Sequence, residues 1–201
     1  MKRNELAELH YITTIRNVPS IMRKGILSHK LARRIDHNSV AMEVIQERRE
    51  KKFVPGGRLL HEYVNLYINS RNKMMYKVLC GAKIQHADLC VLRVNTEILD
   101  LGDVVVANQN AASDYAGFYP SPGGLRKIDR DLVFAEYWTH PNNPIEELLH
   151  GSIMCSEVLV PDRIDPGLIM GAYVSCTDAK EALEATGVDI PVTINSHIFF
   201  R

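Results

Sequence analysis

No apolar run in this 201-residue chain approaches the ~20 residues that a membrane-spanning helix requires. The first residues include Lys2 and Arg3, but Glu5, Glu8 and His10 interrupt any signal-like apolar core. A cytoplasmic protein without a membrane partner is the expectation. Cysteine is scarce. Cys80, Cys90, Cys155 and Cys176 are widely spaced and form no CxxC pair, which speaks against a zinc cluster and for reduced core thiols. The eight histidines show no ligand spacing, and His61-Glu62 lacks a second histidine four residues on, so no metal site is expected. A Walker A loop, GxGxxG and GxSxG are missing as well. That removes P-loop nucleotide hydrolysis, the usual dinucleotide fingerprint and the α/β-hydrolase nucleophile.

No repeat, low-complexity tract or long Pro/Gly-rich linker divides the chain. Its length suits one domain, residues 1–201, with a sizeable core. A net charge of zero conceals a split. Residues 1–80 carry 16 Lys and Arg against 7 Asp and Glu, whereas residues 81–201 carry 8 against 17. Either the first half offers a basic surface to phosphates or the two halves pair with each other within the domain.

Residues 8–15, rich in β-branched and aromatic types, read as a strand. Asn17 to Lys24 reads as a short helix with Asn17 as cap, Pro19 in the first turn and Gly25 as stop. Ser39 to Lys52 reads as a helix with Ser39 as N-cap. The further candidate strands are Val64–Ile68, Met74–Leu79, Leu89–Val94, Val104–Ala107, Glu157–Val160 and Ala172–Ser175. Leu132–Trp138 is ambiguous, Asp178 caps a helix to Gly187, and a strand over Val192–Phe200 closes the chain. Strands outnumber helices and do not alternate with them, which predicts an α+β fold.

Two places carry candidate chemistry. Glu157 opens the run Glu157-Val158-Leu159-Val160-Pro161. A carboxylate at the mouth of an apolar strand can serve chemistry on a sugar, or can be a solvated gatekeeper. The second place starts with Arg48 and Arg49 at a helix end. The Pro55-Gly56-Gly57-Arg58 loop follows, and then a block with Tyr67, Arg71, Met74 and Tyr76. Arginines beside a Gly-Gly loop can grip phosphates through paired hydrogen bonds, and tyrosines can stack a flat ring. A solvated basic face over core tyrosines is the bland alternative.

Taken together, five stretches resemble the DarT family of DNA ADP-ribosyltransferases, the toxin half of toxin–antitoxin pairs. They are Tyr11-Ile12-Thr13-Thr14-Ile15-Arg16-Asn17-Val18-Pro19-Ser20-Ile21, Glu47-Arg48-Arg49, the Gly57–Tyr76 block, Asn110-Ala111-Ala112-Ser113, and Ser156-Glu157-Val158-Leu159-Val160-Pro161. The resemblance, which also takes in Tyr137-Trp138, covers nearly the whole chain. It implies an ADP-ribosyltransferase fold with two packed β-sheets, an NAD cleft between them and flanking helices. NAD would be the ADP-ribose donor, with no metal. The acceptor would be a base in single-stranded DNA, and a macrodomain antitoxin is the expected partner of a monomeric toxin. It further implies Glu157 and Arg49 as catalytic residues. Tyr11 or His10, Thr13, Arg49, Tyr67, Arg71 and Met74 would contact NAD, and Arg48, Arg58, Asn108, Asn110 and Tyr115 would contact DNA.

Two departures from the family pattern stand out. Many relatives read Tyr-His-Ile-Thr in the first strand, where this chain has His10-Tyr11-Ile12-Thr13. Strand alternation puts His10 and Tyr11 on opposite faces. Tyr11 therefore takes the slot by register, and a one-residue bulge would bring in His10. Tyr63-Val64-Asn65-Leu66-Tyr67 also differs from the Tyr-Val-Pro-Phe-Tyr of thymine-modifying relatives and points toward guanine. Two other functions remain open: an NAD-dependent RNA 2′-phosphotransferase, and a non-catalytic nucleic-acid-binding module.

Overall fold

The computed structural model describes residues 1–81 and 84–201. Its strands are β1 (Leu9–Thr14), β2 (Ile26–Leu27), β3 (Tyr63–Tyr67), β4 (Leu89–Val94), β5 (Val105–Ala107), β6 (Phe118–Pro120), β7 (Glu157–Pro161), β8 (Arg163–Ile164), β9 (Ile169–Val174) and β10 (Val192–Ile194). Around them lie α1 (Val18–Lys24), α2 (His29–Ala32), α3 (Glu43–Glu50), α4 (Lys73–Cys80), α5 (Arg130–Val133), α6 (Pro144–Ile153) and α7 (Thr177–Glu184). The architecture is α+β, as the strand-rich pattern predicts.

Eight strands form one hydrogen-bonded array in the order β10-β9-β4-β1-β3-β7-β5-β6, and β2 pairs separately with β8. The array is two halves joined at a seam. β1 pairs with β4 along six residues and β3 with β7 along five, yet β1 and β3 pair at His10–Tyr67 alone. Beyond that pair the two strands no longer pair with each other. A cleft opens between them. The two halves share one apolar core, to which Leu9, Leu92 and Val174 contribute from one half and Leu66, Val106 and Val158 from the other.

Cross-strand register carries a single row across the seam. Arg93 pairs with His10, His10 with Tyr67, Tyr67 with Glu157, and Glu157 with Ala107. Partners directly opposite share a face, so Tyr67 and Glu157 stand side by side. This follows from a β7 whose aliphatic residues Val158 and Val160 face the core and thereby turn Glu157 to the other side.

Several boundaries differ from expectation. Met74–Leu79 belongs to helix α4, not to a strand. The Asn72 side chain accepts from Met74 N at 2.9 Å and Met75 N at 3.0 Å, capping the helix, and Met75 and Val78 bury one helical face. A short apolar run cannot by itself distinguish the two periods. Helix α3 begins at Glu43 rather than near Ser39, whose Oγ instead accepts from Ala41 N in a local turn. Asn17 occupies the cap position of α1 as expected, but its side chain makes no capping bond. Its Nδ2 donates to Thr13 Oγ1 and Asn38 O, and its Oδ1 accepts from Asn38 N, tying the 36–42 segment to the end of β1. Asp178 lies in the first turn of α7, with Cys176 at the cap position. The last strand stops at Ile194, and Ser196–Phe199 form a helical turn. Of the four thiols only Cys90 and Cys155 are buried; Cys80 is exposed.

Candidate active site

Arg49 is the one residue of α3 that is buried. Its guanidinium Nη1 donates to Glu157 Oε2 at 3.0 Å and to Oε1 at 3.3 Å. The backbone N–H of Ala111 donates to Glu157 Oε1 at 3.1 Å. Glu157 is 1% exposed and Arg49 5%, so this is a buried ion pair between groups 108 residues apart in the chain. The other terminal nitrogen of Arg49, Nη2, is buried and has no hydrogen-bond partner among the described residues. A buried guanidinium donor rarely stays unmatched. An anionic oxygen entering the cleft, as a phosphate would supply, fits it.

The cleft is lined by Tyr11, Ile12 and Thr13 of β1, and by Tyr63, Val64, Asn65 and Tyr67 of β3. Gln46 and Arg49 of α3, Met74 and Val78 of α4, and Asn110 and Glu157 complete this part of the wall. Burial holds the Tyr67 phenol well above its usual range, and the Glu157 carboxylate beside it adds to the effect. Burial alone pushes Tyr11 up to about 12. Both phenols are therefore neutral hydrogen-bonding groups at neutral pH.

The structure thus brings Tyr11, Thr13, Arg49, Tyr67, Met74, Asn110 and Glu157 to one cleft. His10 lies elsewhere. Its Nε2 is 3.2 Å from Glu8 Oε1, and the same carboxylate accepts from Arg93 Nε at 2.7 Å. No bulge brings His10 into the Tyr11 slot, because β1 pairs with β4 without a register break. Arg71 also lies apart from the cleft wall. Its Nη1 donates to His197 O at 2.6 Å, and its guanidinium stacks 4.1 Å from the Phe200 ring centroid.

A second, wider groove adjoins the cleft and shares Ile45, Met74 and Asn110 with it. Arg48, Lys73 and Lys77 supply positive charge along it, and Asp114 is its acidic member. Ile145 (79% exposed), Leu148 (67%) and Tyr115 (85%) add exposed apolar surface to the same groove. Arg48, Asn110 and Tyr115 fall on this groove. Arg58 does not; it pairs with Asp162 at 2.9 Å. Asn108 braces the loop instead, its Oδ1 accepting from Gly117 N at 2.8 Å.

Sequence reasoning missed α6 and the two lysines of α4. The signal for α6 was present, since Asn143 accepts from Glu146 N as an N-cap and Pro144 occupies the first turn.

A family model described as "ssDNA thymidine ADP-ribosyltransferase, DarT" matches residues 10–200. A DNA ADP-ribosyl transferase–DNA ADP-ribosyl glycohydrolase fusion protein of Thermosipho africanus is 32% identical over 96% of this chain and 49% of its own length. A DNA ADP-ribosyl transferase of Thermus sp. is 29% identical over 70% of this chain and 72% of its own. Among solved structures, Thermosipho africanus DarTG in complex with ADP-ribose superposes with a TM-score of 0.81 at 32% identity, covering 96% of this chain and 51% of that one. Thermus sp. 2.9 DarT in complex with ADP-ribosylated single-stranded DNA reaches a TM-score of 0.84 at 24% identity, covering 99% and 100%; at that identity the likeness speaks for the fold. The chain spans about half the length of the Thermosipho fusion protein. With a family model matching nearly its whole length and a relative at 32% identity, the chain belongs to the DarT family of single-stranded-DNA ADP-ribosyltransferases.

Proposed function

We propose that this protein transfers ADP-ribose from NAD to a base of single-stranded DNA. The observation that carries the reading is the buried Arg49–Glu157 pair with its unmatched Nη2 donor, set in a cleft between the half-sheets. Family membership and the 32%-identical Thermosipho relative solved in complex with ADP-ribose support it.

Breaking the nicotinamide–ribose bond builds positive charge on the sugar, as glycoside cleavage does. A carboxylate held in a dry site stabilises such charge far better than one in water. Glu157 is that carboxylate. It can accept a hydrogen bond from a ribose hydroxyl and take the proton lost by the attacking base nitrogen. Arg49 grips the diphosphate and fixes the sugar for attack. Tyr11, Tyr67 and Met74 wall the donor. The new bond joins the ribose C1′ to the base, nicotinamide leaves with the bonding pair, and one proton is released.

The acceptor strand runs along the adjoining groove, with phosphates on Arg48, Lys73 and Lys77 and unpaired bases on Tyr115 and the exposed face of α6. Cationic walls beside aromatic and apolar surfaces suit single strands. The family description names thymidine, whereas the Asn65-Leu66 block of β3 favours guanine. A macrodomain antitoxin partner fits the Thermosipho relative, in which a DNA ADP-ribosyl glycohydrolase is fused to the transferase.

The test is incubation with NAD and a panel of single-stranded oligonucleotides, each lacking one base, read by mass spectrometry. An ADP-ribose mass addition that disappears when guanine is omitted supports both parts of the reading. Disappearance on omitting thymine corrects the base alone. Intact NAD with no addition on any strand overturns the function.

A further inference from the structure

We infer that His29, with the His61 ring packed behind it, is the platform on which the adenine of the dinucleotide donor stacks. This rests on the cleft being the NAD site. The two imidazole rings lie 4.2 Å apart between centroids and are tilted by 34°. His29 lines the same cleft as Arg49 and Glu157. Arg49 holds Glu157, which stands in register with Tyr67. One helical turn back along α3, Gln46 lines the same cleft, its Oε1 3.0 Å from His61 Nε2. With the guanidinium on the diphosphate and the nicotinamide ribose at Glu157, the adenosine half extends past Gln46 toward His29.

The local surroundings suit a flat purine. Ala32, one turn after His29 on α2, also lines the cleft and leaves room that a larger side chain would fill, while Leu27 and Leu60 provide apolar walls. Both rings are held uncharged. Burial lowers His29 to about 4, with the neighbouring His61, Arg33, His37 and Arg49 charges adding to it, and burial likewise lowers His61. Stacking on a neutral ring needs no cation to be stripped of water. The sequence offered no sign of this pair, because His29 and His61 are far apart in the chain and meet only where α2 packs beside the turn before β3.

The experiment is NAD cleavage, read as nicotinamide release, with AMP and nicotinamide mononucleotide as competing fragments that share a 5′-phosphate and differ in base. Base–aromatic stacking predicts that His29→Ala raises the KM for NAD and the inhibition constant of AMP about tenfold. The constant for nicotinamide mononucleotide and kcat at saturating NAD should stay within about twofold. His29→Phe should behave as wild type toward AMP. Equal weakening of both fragments, or an unchanged AMP constant in His29→Ala, overturns the assignment. Wild-type protein that neither binds nor cleaves NAD overturns the reading of the cleft itself, and the platform with it.

Discussion

Arg49 Nη1 lies 3.0 Å from Glu157 Oε2, joining the end of α3 to the first residue of β7 across the mouth of the cleft. Both groups are nearly sealed from solvent. Such a pair adds little to stability by itself, because desolvating two charges offsets their attraction. In the proposed reaction the two partners have separate tasks, Glu157 on the ribose and Arg49 on the diphosphate.

The two halves of that pair should fail differently. Glu157→Ala leaves a buried guanidinium without a counter-charge, which costs about 3–5 kcal/mol and should lower Tm by many degrees. Glu157→Gln keeps the shape and an acceptor oxygen for Arg49. The counter-charge is lost here too, but the retained oxygen and packing should make the stability loss smaller than for alanine, while activity falls by about 100-fold or more. Thermal melts set beside initial rates for both variants separate folding from chemistry.

Arg49→Lys retains the charge but not the planar fork. A lysine ammonium can meet Glu157 or a phosphate, not both through separate nitrogens in fixed geometry. The variant should stay folded and lose about 100-fold in kcat/KM for NAD, the scale of a small misplacement of the reacting sugar. Steady-state kinetics checks this, and near-wild-type activity would show that the fork is dispensable.

The adjoining groove makes two separable predictions for DNA binding. Lys73→Ala and Lys77→Ala should each flatten the dependence of log affinity on log salt by about 0.7, as expected for a lost phosphate contact on a single strand. Ile145→Ser with Leu148→Ser should weaken binding several-fold and leave that slope unchanged, since bases resting on an apolar shelf release no counterions. Fluorescence anisotropy across a salt series distinguishes the two behaviours.

Glu8 sets an acid limit on the half-sheet that holds β1, β4 and β9. Burial alone would raise its carboxyl, but hydrogen bonds from His10, Arg93 and Tyr173 outweigh that and bring it to about 2, against an ordinary value of 4.5. A carboxyl with a depressed folded-state value contributes stability that is fully present above the unfolded value and lost as pH falls through the folded one. The Tm difference between wild type and Glu8→Gln should therefore be constant above about pH 5 and shrink between about pH 4.5 and pH 2. A difference that grows on acidification would contradict this.

Much of the site was legible in the sequence, although residues far apart build it. Glu157 stood out because a carboxylate heads an aliphatic strand, and Arg49 because it ends a helix before a Gly-Gly loop. The structure then decided between His10 and Tyr11: Tyr11 lies on the cleft wall, whereas His10, although it stands in the row of Tyr67, is held by Glu8. What the sequence hid was contact information. Arg71 sits in the same block as Tyr67, yet the turn into α4 carries it to the C-terminal Phe200. Met74–Leu79 reads equally well as strand or helix until the Asn72 cap is seen to hold its first turn. The exposed apolar face of α6 gives no periodic signal of its purpose, because its residues are out of place for a core and meaningful only beside the groove.

The most direct test is to incubate wild-type protein and Glu157→Gln with NAD and a mixed-sequence single-stranded oligonucleotide, following nicotinamide release and oligonucleotide mass together. The account predicts an ADP-ribose addition to the strand, with one nicotinamide per addition, from the wild type and almost none from the variant. Equal modification by both proteins, or an unmodified strand with intact NAD in the wild-type reaction, would contradict it.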